Sequence, residues 1–113
     1  MYEIKKTFDI SAAHRLVLDY DSPCTVLHGH NWRITVHLRA RELNAAGMIM
    51  DFSDIKRRIS GPLDHQVLND VLPFNPTAEN LAKHIYDMLQ PYSFRVDVQE
   101  SENNIASFVG DGV

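Results

Sequence analysis

Apolar and polar residues alternate strictly in two long segments of the chain. In residues 28–41 the apolar positions are Trp32, Ile34, Val36, Leu38 and Ala40. The intervening positions are polar or charged: Asn31, Arg33, Thr35, His37, Arg39 and Arg41. Residues 2–14 repeat the alternation, with Lys6 as the one exception on the face that carries Tyr2, Ile4, Phe8, Ile10, Ala12 and His14. A period of two is typical of a strand with one buried face, so we predict two long strands.

The middle of the chain changes to helical spacing. Ser53 is a suitable N-cap for a helix to about residue 60, in which Ile55 and Ile59 form the apolar stripe. Gly61-Pro62 is expected to end it. A second helix is expected to begin at Asn75-Pro76, with proline at its first position, and to stop before Pro91. Its apolar positions are Ala78, Leu81, Ala82, Ile85, Met88 and Leu89.

Two shorter strands complete the prediction. Residues 93–100 alternate, with Phe94, Val96 and Val98 on one face, and residues 104–109 form the last strand. The order ββααββ predicts an α+β fold in which both helices lie on one face of a four-stranded antiparallel sheet. We expect one domain over residues 1–113. The Arg-rich second face of the sheet is either solvated or lines an oligomeric barrel.

Composition limits the function. The net charge of −4 argues against general nucleic-acid binding, which usually needs a basic face. One cysteine excludes an internal disulfide and fits a reducing cytoplasm. The first residues have no apolar signal region, and no apolar run approaches a membrane span, so we expect a cytoplasmic protein without a membrane partner. A chain of 113 residues has little room for a large cleft, which favours a site shared between subunits.

Three histidines form the most informative group. His28 and His30 flank Gly29 at the start of the second strand, and residues i and i+2 of a strand face the same side. His14 ends the first strand on its apolar parity, so a hairpin would bring it to the pair. Three neutral imidazoles with one open position are typical of a catalytic zinc site. Ordinary core or surface histidines are the alternative interpretation of the pattern.

Three other positions carry possible chemistry. Cys24 is a candidate fourth ligand, thiolate base, or inert buried thiol, and its spacing does not separate these. Asp64 and His65 are adjacent, and a carboxylate can orient an imidazole for proton transfer, although such a pair is often only a polar loop. Glu100 continues the buried parity of Val96 and Val98, where a carboxylate needs a partner. That partner is either a cation in a salt bridge or a ligand with two adjacent N–H donors.

These residues together resemble the 6-pyruvoyltetrahydropterin synthase and 6-carboxytetrahydropterin synthase family. The resemblance covers nearly the whole chain. It is carried, in order, by Ser11-Ala12-Ala13-His14-Arg15-Leu16, Cys24-x3-His28-Gly29-His30-Asn31, Asp51-Phe52, Leu63-Asp64-His65-x2-Leu68-Asn69, Pro76-Thr77-Ala78-Glu79-Asn80 and Glu100. It implies a tunnelling fold (T-fold) whose subunits assemble through their sheets into barrels, as trimers or hexamers with sites at subunit interfaces.

The resemblance also implies a substrate and a role for each residue. The substrate is the pterin triphosphate 7,8-dihydroneopterin triphosphate. His14, His28 and His30 hold Zn²⁺, Cys24 is the proton-abstracting thiolate, and Asp64 and His65 are its relay partners, reaching the site from a neighbouring subunit. Glu100 anchors the pterin. Thr77 and Glu79 lie where the family has further pterin-side residues.

Two lyase outcomes are consistent with the resemblance. One cleaves the side chain to give 6-carboxy-5,6,7,8-tetrahydropterin, an intermediate towards queuosine, with acetaldehyde and triphosphate released. The other eliminates triphosphate and leaves a pyruvoyl group. The compact Cys-x3-His-Gly-His spacing resembles that of the bacterial carboxy-forming members of the family, so the resemblance favours the carboxy product. A non-catalytic module, whose structural zinc is closed by one cysteine and three histidines, is the alternative from a different class.

Overall fold

The computed structural model describes residues 1–110. Its strands are β1 (Tyr2–His14), β2 (His28–Ala40), β3 (Gln66–Val67), β4 (Ser93–Ser101) and β5 (Asn104–Val109). Its helices are α1 (Phe52–Leu63), α2 (Leu68–Val71) and α3 (Ala78–Met88), and a 3-10 turn spans Pro23–Thr25. The predicted order ββααββ is confirmed for the long elements, while β3 and α2 are additions that the sequence pattern did not predict.

The strands form one sheet in the order β3-β1-β2-β4-β5. β1 and β2 pair antiparallel along their whole length, from Tyr2 opposite Ala40 to His14 opposite His28. β3 runs parallel to β1 and pairs only with Ala12 and Ala13. The sheet is therefore mixed and five-stranded, rather than antiparallel and four-stranded as predicted. Within the described residues, the outer edge of β1 from Tyr2 to Ser11 has no paired strand.

The core lies between the sheet and the helices. All four apolar side chains of β2 from Trp32 to Leu38 are fully buried, which confirms the predicted inner face. The helices contribute Ile55, Ile59, Leu63, Leu81, Ala82 and Ile85, each 0–1% exposed. The α+β class and the helix-covered face are thus confirmed. No helix within residues 1–110 is both long and apolar enough to cross a membrane.

The boundaries of α1 differ from the prediction. Asp51, not Ser53, is the N-cap, and its carboxylate accepts a hydrogen bond of 2.7 Å from the Ser53 backbone N–H. The helix also continues through Gly61-Pro62, because Leu63 adds one more turn to the apolar stripe and is 1% exposed. Burial of that side chain outweighs the hydrogen bond that a proline inside the last turn cannot make.

The start of α3 is also shifted. Thr77 is the N-cap, with its hydroxyl oxygen 3.1 Å from the Asn80 backbone N–H. Pro76 therefore precedes the helix instead of occupying its first position, and its carbonyl oxygen is free to accept a bond from elsewhere.

Phe94 lies on the opposite face of β4 from the one predicted. Leu38 pairs with Ser93 and His37 pairs with Arg95, so Phe94 is the extra residue of a β-bulge. Its ring packs beneath the guanidinium of Arg39, 4.4 Å away, on the open face of the sheet. The parity beyond the bulge is restored, and Val96 and Val98 are fully buried as predicted.

Candidate metal centre

The three histidines meet at one end of the β1–β2 hairpin. His14 is directly opposite His28, and His30 is opposite Ala12, so all three imidazoles lie on the core side of the sheet. Their ring centroids are 4.6, 5.2 and 4.8 Å apart for the pairs 14–28, 14–30 and 28–30. Together with Glu100, they offer four ligand atoms that all lie within 4.8 Å of one another. The predicted convergence is confirmed, and Glu100 is an addition to it.

Backbone carbonyls fix the orientation of two of the rings. The Nδ1 atom of His14 lies 2.7 Å from the carbonyl oxygen of Pro76, and that of His28 lies 2.7 Å from the carbonyl oxygen of Val26. Because a carbonyl only accepts, each Nδ1 carries the proton. Each Nε2 then keeps its lone pair, which is how metal-binding histidines are usually held.

The unpaired nitrogen atoms of the cluster fit a cation. Within the described residues, the Nε2 atoms of His14 and His30 are buried without a hydrogen-bond partner, and His14 is 0% exposed. An unsatisfied buried polar atom costs about 1–3 kcal/mol. A divalent metal that accepts these lone pairs would remove the cost, so this donor set fits the expected metal.

Glu100 approaches the cluster from β4. Its Oε1 lies 3.2 Å from Nε2 of His30, without the alignment of a hydrogen bond, and the two side chains are 23% and 21% exposed. Burial lowers the pKa of His30; the Glu100 carboxylate opposes this effect, whereas His14 and His28 reinforce it. The net direction favours the neutral imidazole that a metal requires.

Trp32 forms the floor of the cluster. Its ring centroid lies 4.9 Å from that of His14 and 5.3 Å from that of His30, both edge to face. Its indole N–H donates to the carbonyl of Ala12 at 3.1 Å. This fully buried ring separates the histidines from the rest of the core.

Cys24 lies in the 3-10 turn that precedes β2. Its backbone N–H donates to the Ser22 hydroxyl, and its carbonyl accepts from Leu16 at 2.8 Å. The thiol is partly exposed. Among residues 1–110, the group of mutually close ligand atoms contains Glu100 and does not contain Cys24. A zinc site closed by the cysteine therefore has no support in this arrangement.

Asp64 and His65 lie at the edge of β1 beside Ser11. The Ser11 backbone N–H donates to Asp64 at 2.8 Å, and Nδ1 of His65 lies 3.1 Å from the other Asp64 oxygen. The bond from Ser11 is the main cause that lowers the pKa of Asp64, with the His65 interaction adding to it. The His65 side chain is 81% exposed.

This pair does not belong to the imidazole cluster of the same chain. His65 lines a groove of about 480 Å³ together with Ser11, Gly29, His30 and Asn31. The contact between Asp64 and His65 is observed, and the imidazole of His65 is largely exposed to solvent.

Glu79 and Glu100 line one cleft of about 410 Å³ between α3 and β5. Thr77 does not line it; its hydroxyl caps α3. Of the two residues predicted on the pterin side, Glu79 thus lines the same cleft as Glu100, while the observed contact of Thr77 is structural.

Comparison with known proteins identifies the family. A profile of the 6-pyruvoyl tetrahydropterin synthase family matches residues 3–111. The chain belongs to this family. It is similar to the 6-carboxy-5,6,7,8-tetrahydropterin synthase of Bacillus subtilis, with 35% identity over 98 residues that cover 80% of this chain and 67% of the relative. It also matches human 6-pyruvoyl tetrahydrobiopterin synthase, with 30% identity over 96% of this chain and 92% of the relative.

A solved structure gives the same family and the fold. The 6-pyruvoyl tetrahydropterin synthase of Caenorhabditis elegans superposes with a TM-score of 0.77 and 25% identity, covering 97% of this chain and 96% of that chain. The T-fold prediction is confirmed. As a member of the 6-pyruvoyl tetrahydropterin synthase family, the chain is a tetrahydropterin synthase of the lyase class.

In this member of the 6-pyruvoyl tetrahydropterin synthase family, two residues support the metal centre in a way that the sequence did not predict. Asn69 exchanges two hydrogen bonds with the backbone of Arg15, and Asn75 does the same with Val17. Asn69 holds the segment after His14 against α2, and Asn75 holds it against the α2–α3 connection, which supplies the Pro76 carbonyl. Asn69 belongs to one of the motifs that carry the family resemblance, but no local pattern indicated these hydrogen bonds, which join residues 54 and 58 positions apart.

Proposed function

We propose that this protein is a zinc-dependent 6-carboxy-5,6,7,8-tetrahydropterin synthase. It would convert 7,8-dihydroneopterin triphosphate and water into 6-carboxytetrahydropterin, acetaldehyde and triphosphate, and so supply queuosine synthesis. The observation that carries the metal-dependent part is the convergence of His14, His28 and His30, with two buried nitrogen lone pairs directed at no protein donor within the described residues. The compact cysteine-to-histidine spacing and the similarity to the Bacillus subtilis enzyme support the carboxy product.

In this proposal, the three histidines hold the zinc ion. When bound, a divalent cation there would supply Lewis-acid stabilisation to the hydroxyl groups of the pterin side chain. The carbonyls of Pro76 and Val26 support the tautomer that leaves Nε2 of His14 and His28 free for the metal. The lowered pKa of His30 favours the neutral form of that imidazole.

Proton transfer is assigned to Cys24, Asp64 and His65. Cys24 would remove a proton from the substrate side chain, and this residue is partly exposed within the 3-10 turn before β2. Asp64 would orient His65 and stabilise its protonated form, a role that the 3.1 Å contact between them supports.

The pterin ring is assigned to the cleft that contains Glu100 and Glu79. The two oxygens of Glu100 would accept from the ring N–H and the 2-amino group, a bidentate pairing that favours a carboxylate. Thr77 would contribute by setting the start of α3, from which Glu79 projects.

A homo-oligomer, a trimer or hexamer, completes the proposal. Two features support it: the long unpaired edge of β1, with β5 at the other edge of the sheet, and the exposure of His65. Pairing these edges between subunits would satisfy their backbone groups, and a neighbouring subunit would bring its Asp64–His65 pair to this chain's metal centre.

The pyruvoyl-forming reaction is the second candidate. It is favoured by the human relative, whose match extends over 96% of this chain. Both reactions release triphosphate, so triphosphate alone does not distinguish them.

Product analysis separates the two candidates. The purified protein is loaded with zinc, incubated with 7,8-dihydroneopterin triphosphate, and assayed for acetaldehyde and for the mass of the pterin product. Acetaldehyde with 6-carboxytetrahydropterin supports the proposal. Triphosphate without acetaldehyde would assign the pyruvoyl reaction instead, and no turnover of either kind would reject the substrate.

A further inference from the structure

The carboxylate of Glu100 lies between the histidine cluster and the cleft proposed to bind the pterin ring. On one side, its Oε1 is 3.2 Å from Nε2 of His30, and its ligand atom lies within 4.8 Å of those of His14 and His28. On the other side, it lines the cleft that it shares with Glu79 and the β4–β5 connection. A single side chain thus reaches both the metal centre and the proposed pterin cleft.

The Glu100 carboxylate would be the fourth ligand of the metal and the one negatively charged ligand beside the three imidazoles. Three neutral imidazoles leave one position open on a four-coordinate zinc ion, and carboxylate oxygen is an ordinary fourth ligand. In the described part of the chain, Glu100 is the acidic residue of this group, and the cysteine thiol is not in it. The approach to His30 lacks hydrogen-bond geometry, so that imidazole does not itself satisfy the carboxylate.

The position of Glu100 in β4 leaves it room to move. The register between β4 and β5 shifts between Gln99 and Ser101, so Glu100 is not held in a regular pair of that ladder. Its side chain is 23% exposed and, among residues 1–110, its 3.2 Å contact with Nε2 of His30 lacks the geometry of a hydrogen bond. A side chain so placed can exchange partners with little disturbance of the sheet.

We propose that Glu100 is an exchangeable ligand: it binds the metal when the cleft is empty and leaves it for the pterin ring when substrate arrives. A bidentate pairing with the ring occupies both oxygens, so the same carboxylate cannot at that moment close the metal. The vacated coordination position is then open to the hydroxyl groups of the substrate side chain. Recognition of the ring is thereby coupled to opening of the metal. This inference rests on the proposed function. It adds that the fourth coordination position of the metal is filled by Glu100 until the pterin binds.

Cobalt-loaded protein tests the ligand role, because Co²⁺ reports its coordination in the visible spectrum. Chelator competition should show that Glu100→Gln binds Co²⁺ at least about tenfold more weakly, given that loss of even an outer-shell partner typically costs 10–100-fold. Its visible band should also shift. Glu102→Gln is the matched control, since it removes an equal charge two residues away on an exposed side chain, and it should behave as wild type. Glu100→Asp, which keeps the charge and shortens the reach, should resemble Glu100→Gln.

A simple pterin tests the exchange. 6-Methyl-7,8-dihydropterin carries the ring N–H and 2-amino groups and has no hydroxyl to offer to the metal. When this pterin is added to cobalt-loaded wild-type protein, the visible band should shift towards that of Glu100→Gln. The pterin should weaken the binding of Co²⁺, and Co²⁺ should weaken the binding of the pterin by the same factor. The band of Glu100→Gln should not respond to it.

The outcomes separate this inference from the proposed function. If the wild-type protein binds Co²⁺ and Glu100→Gln binds it equally well with the same spectrum, the exchange is wrong while the three-histidine site stands. An unchanged wild-type band in the presence of bound methylpterin also overturns the exchange. If the wild-type protein binds no divalent metal, both the inference and the proposed metal-dependent function fall.

Discussion

The imidazole of His14 is held by the carbonyl oxygen of Pro76, 62 residues further along the chain and 2.7 Å away. This contact joins the end of β1 to the turn before α3. The turn is itself tied to the segment after His14 by Asn75, whose amide bonds both backbone groups of Val17. The orientation of a proposed metal ligand therefore depends on a connection that contributes no ligand.

Removing this amide tests the dependence. Asn75→Ala should lower the free energy of unfolding by about 1–2 kcal/mol, because two modest hydrogen bonds are lost, and it should also weaken zinc binding. Chemical denaturation and chelator competition measure the two effects. Asn44→Ala is the control, since it too removes two hydrogen bonds, to Ala46 and Met48, in the connection after the other end of β2. Equal losses of zinc affinity in both variants would contradict this account.

The chain's single tryptophan should report metal binding. Trp32 is fully buried, with its ring 4.9 and 5.3 Å from those of His14 and His30. We expect Co²⁺ to quench its fluorescence strongly at one equivalent and a chelator to restore it. His28→Ala, which leaves the contacts of Trp32 with His14 and His30 in place, should move the titration to higher metal concentration. Quenching that never saturates would indicate nonspecific binding.

Cys24→Ala should separate catalysis from metal binding. Because the thiol is outside the group of close ligand atoms, the variant should retain zinc at the wild-type ratio. Turnover should fall about 10²–10⁴-fold, the usual contribution of a positioned base. Metal analysis and product assays on the same sample give both results. Stoichiometric loss of zinc in Cys24→Ala would instead make the cysteine a ligand.

Asp97 should make the stability of the sheet depend on pH. Burial alone would raise the pKa of its carboxyl, but bonds from Ser107, His37 and Arg95 outweigh burial and hold the pKa below its usual value. A carboxyl whose pKa is lower in the folded state stabilises the fold above its unfolded pKa, and this contribution is lost as the pH falls through the folded pKa.

The variant Asp97→Asn tests that sign. It should be less stable than wild type by about 1–3 kcal/mol at pH 7, where hydrogen bonds to a charged group are lost. The difference should narrow as the pH falls below 4. Denaturation of both proteins from pH 7 to pH 3 measures it, and a difference that widened on acidification would contradict the assignment.

The strands and the histidine cluster were predictable because both depend on parity. The alternation from Trp32 to Leu38 determines which face of β2 is buried. His30 has the same parity and therefore lies on that face. The α1 boundaries were less predictable, because Asp51 and Ser53 are both good caps. Packing of Leu63 then decided where the helix ends.

Other features depend on contacts between distant segments, and no local pattern encodes them. The bulge at Phe94 arises from the fit of β4 against β2, and Arg39 then covers the displaced ring. Glu100 had the predicted parity, yet its 3.2 Å approach to His30 requires the β2–β4 pairing to be known. The short β3 also follows from tertiary structure, since the backbone N–H of His65 donates to the Ser11 carbonyl and brings Gln66 alongside β1.

The unpaired edge of β1 has a consequence for the handling of the protein. In a subunit that has not assembled with others, the unpaired peptide groups along residues 2–10 can template pairing with any extended chain, which is how sheet proteins begin to precipitate. The exposed charges of Glu3, Lys5 and Asp9 lie along this edge and discourage such pairing by repulsion and hydration. Replacing them with apolar residues would leave the core and the metal centre unchanged. We expect that change to make concentrated samples precipitate sooner, while the stability and metal binding of dilute samples stay the same.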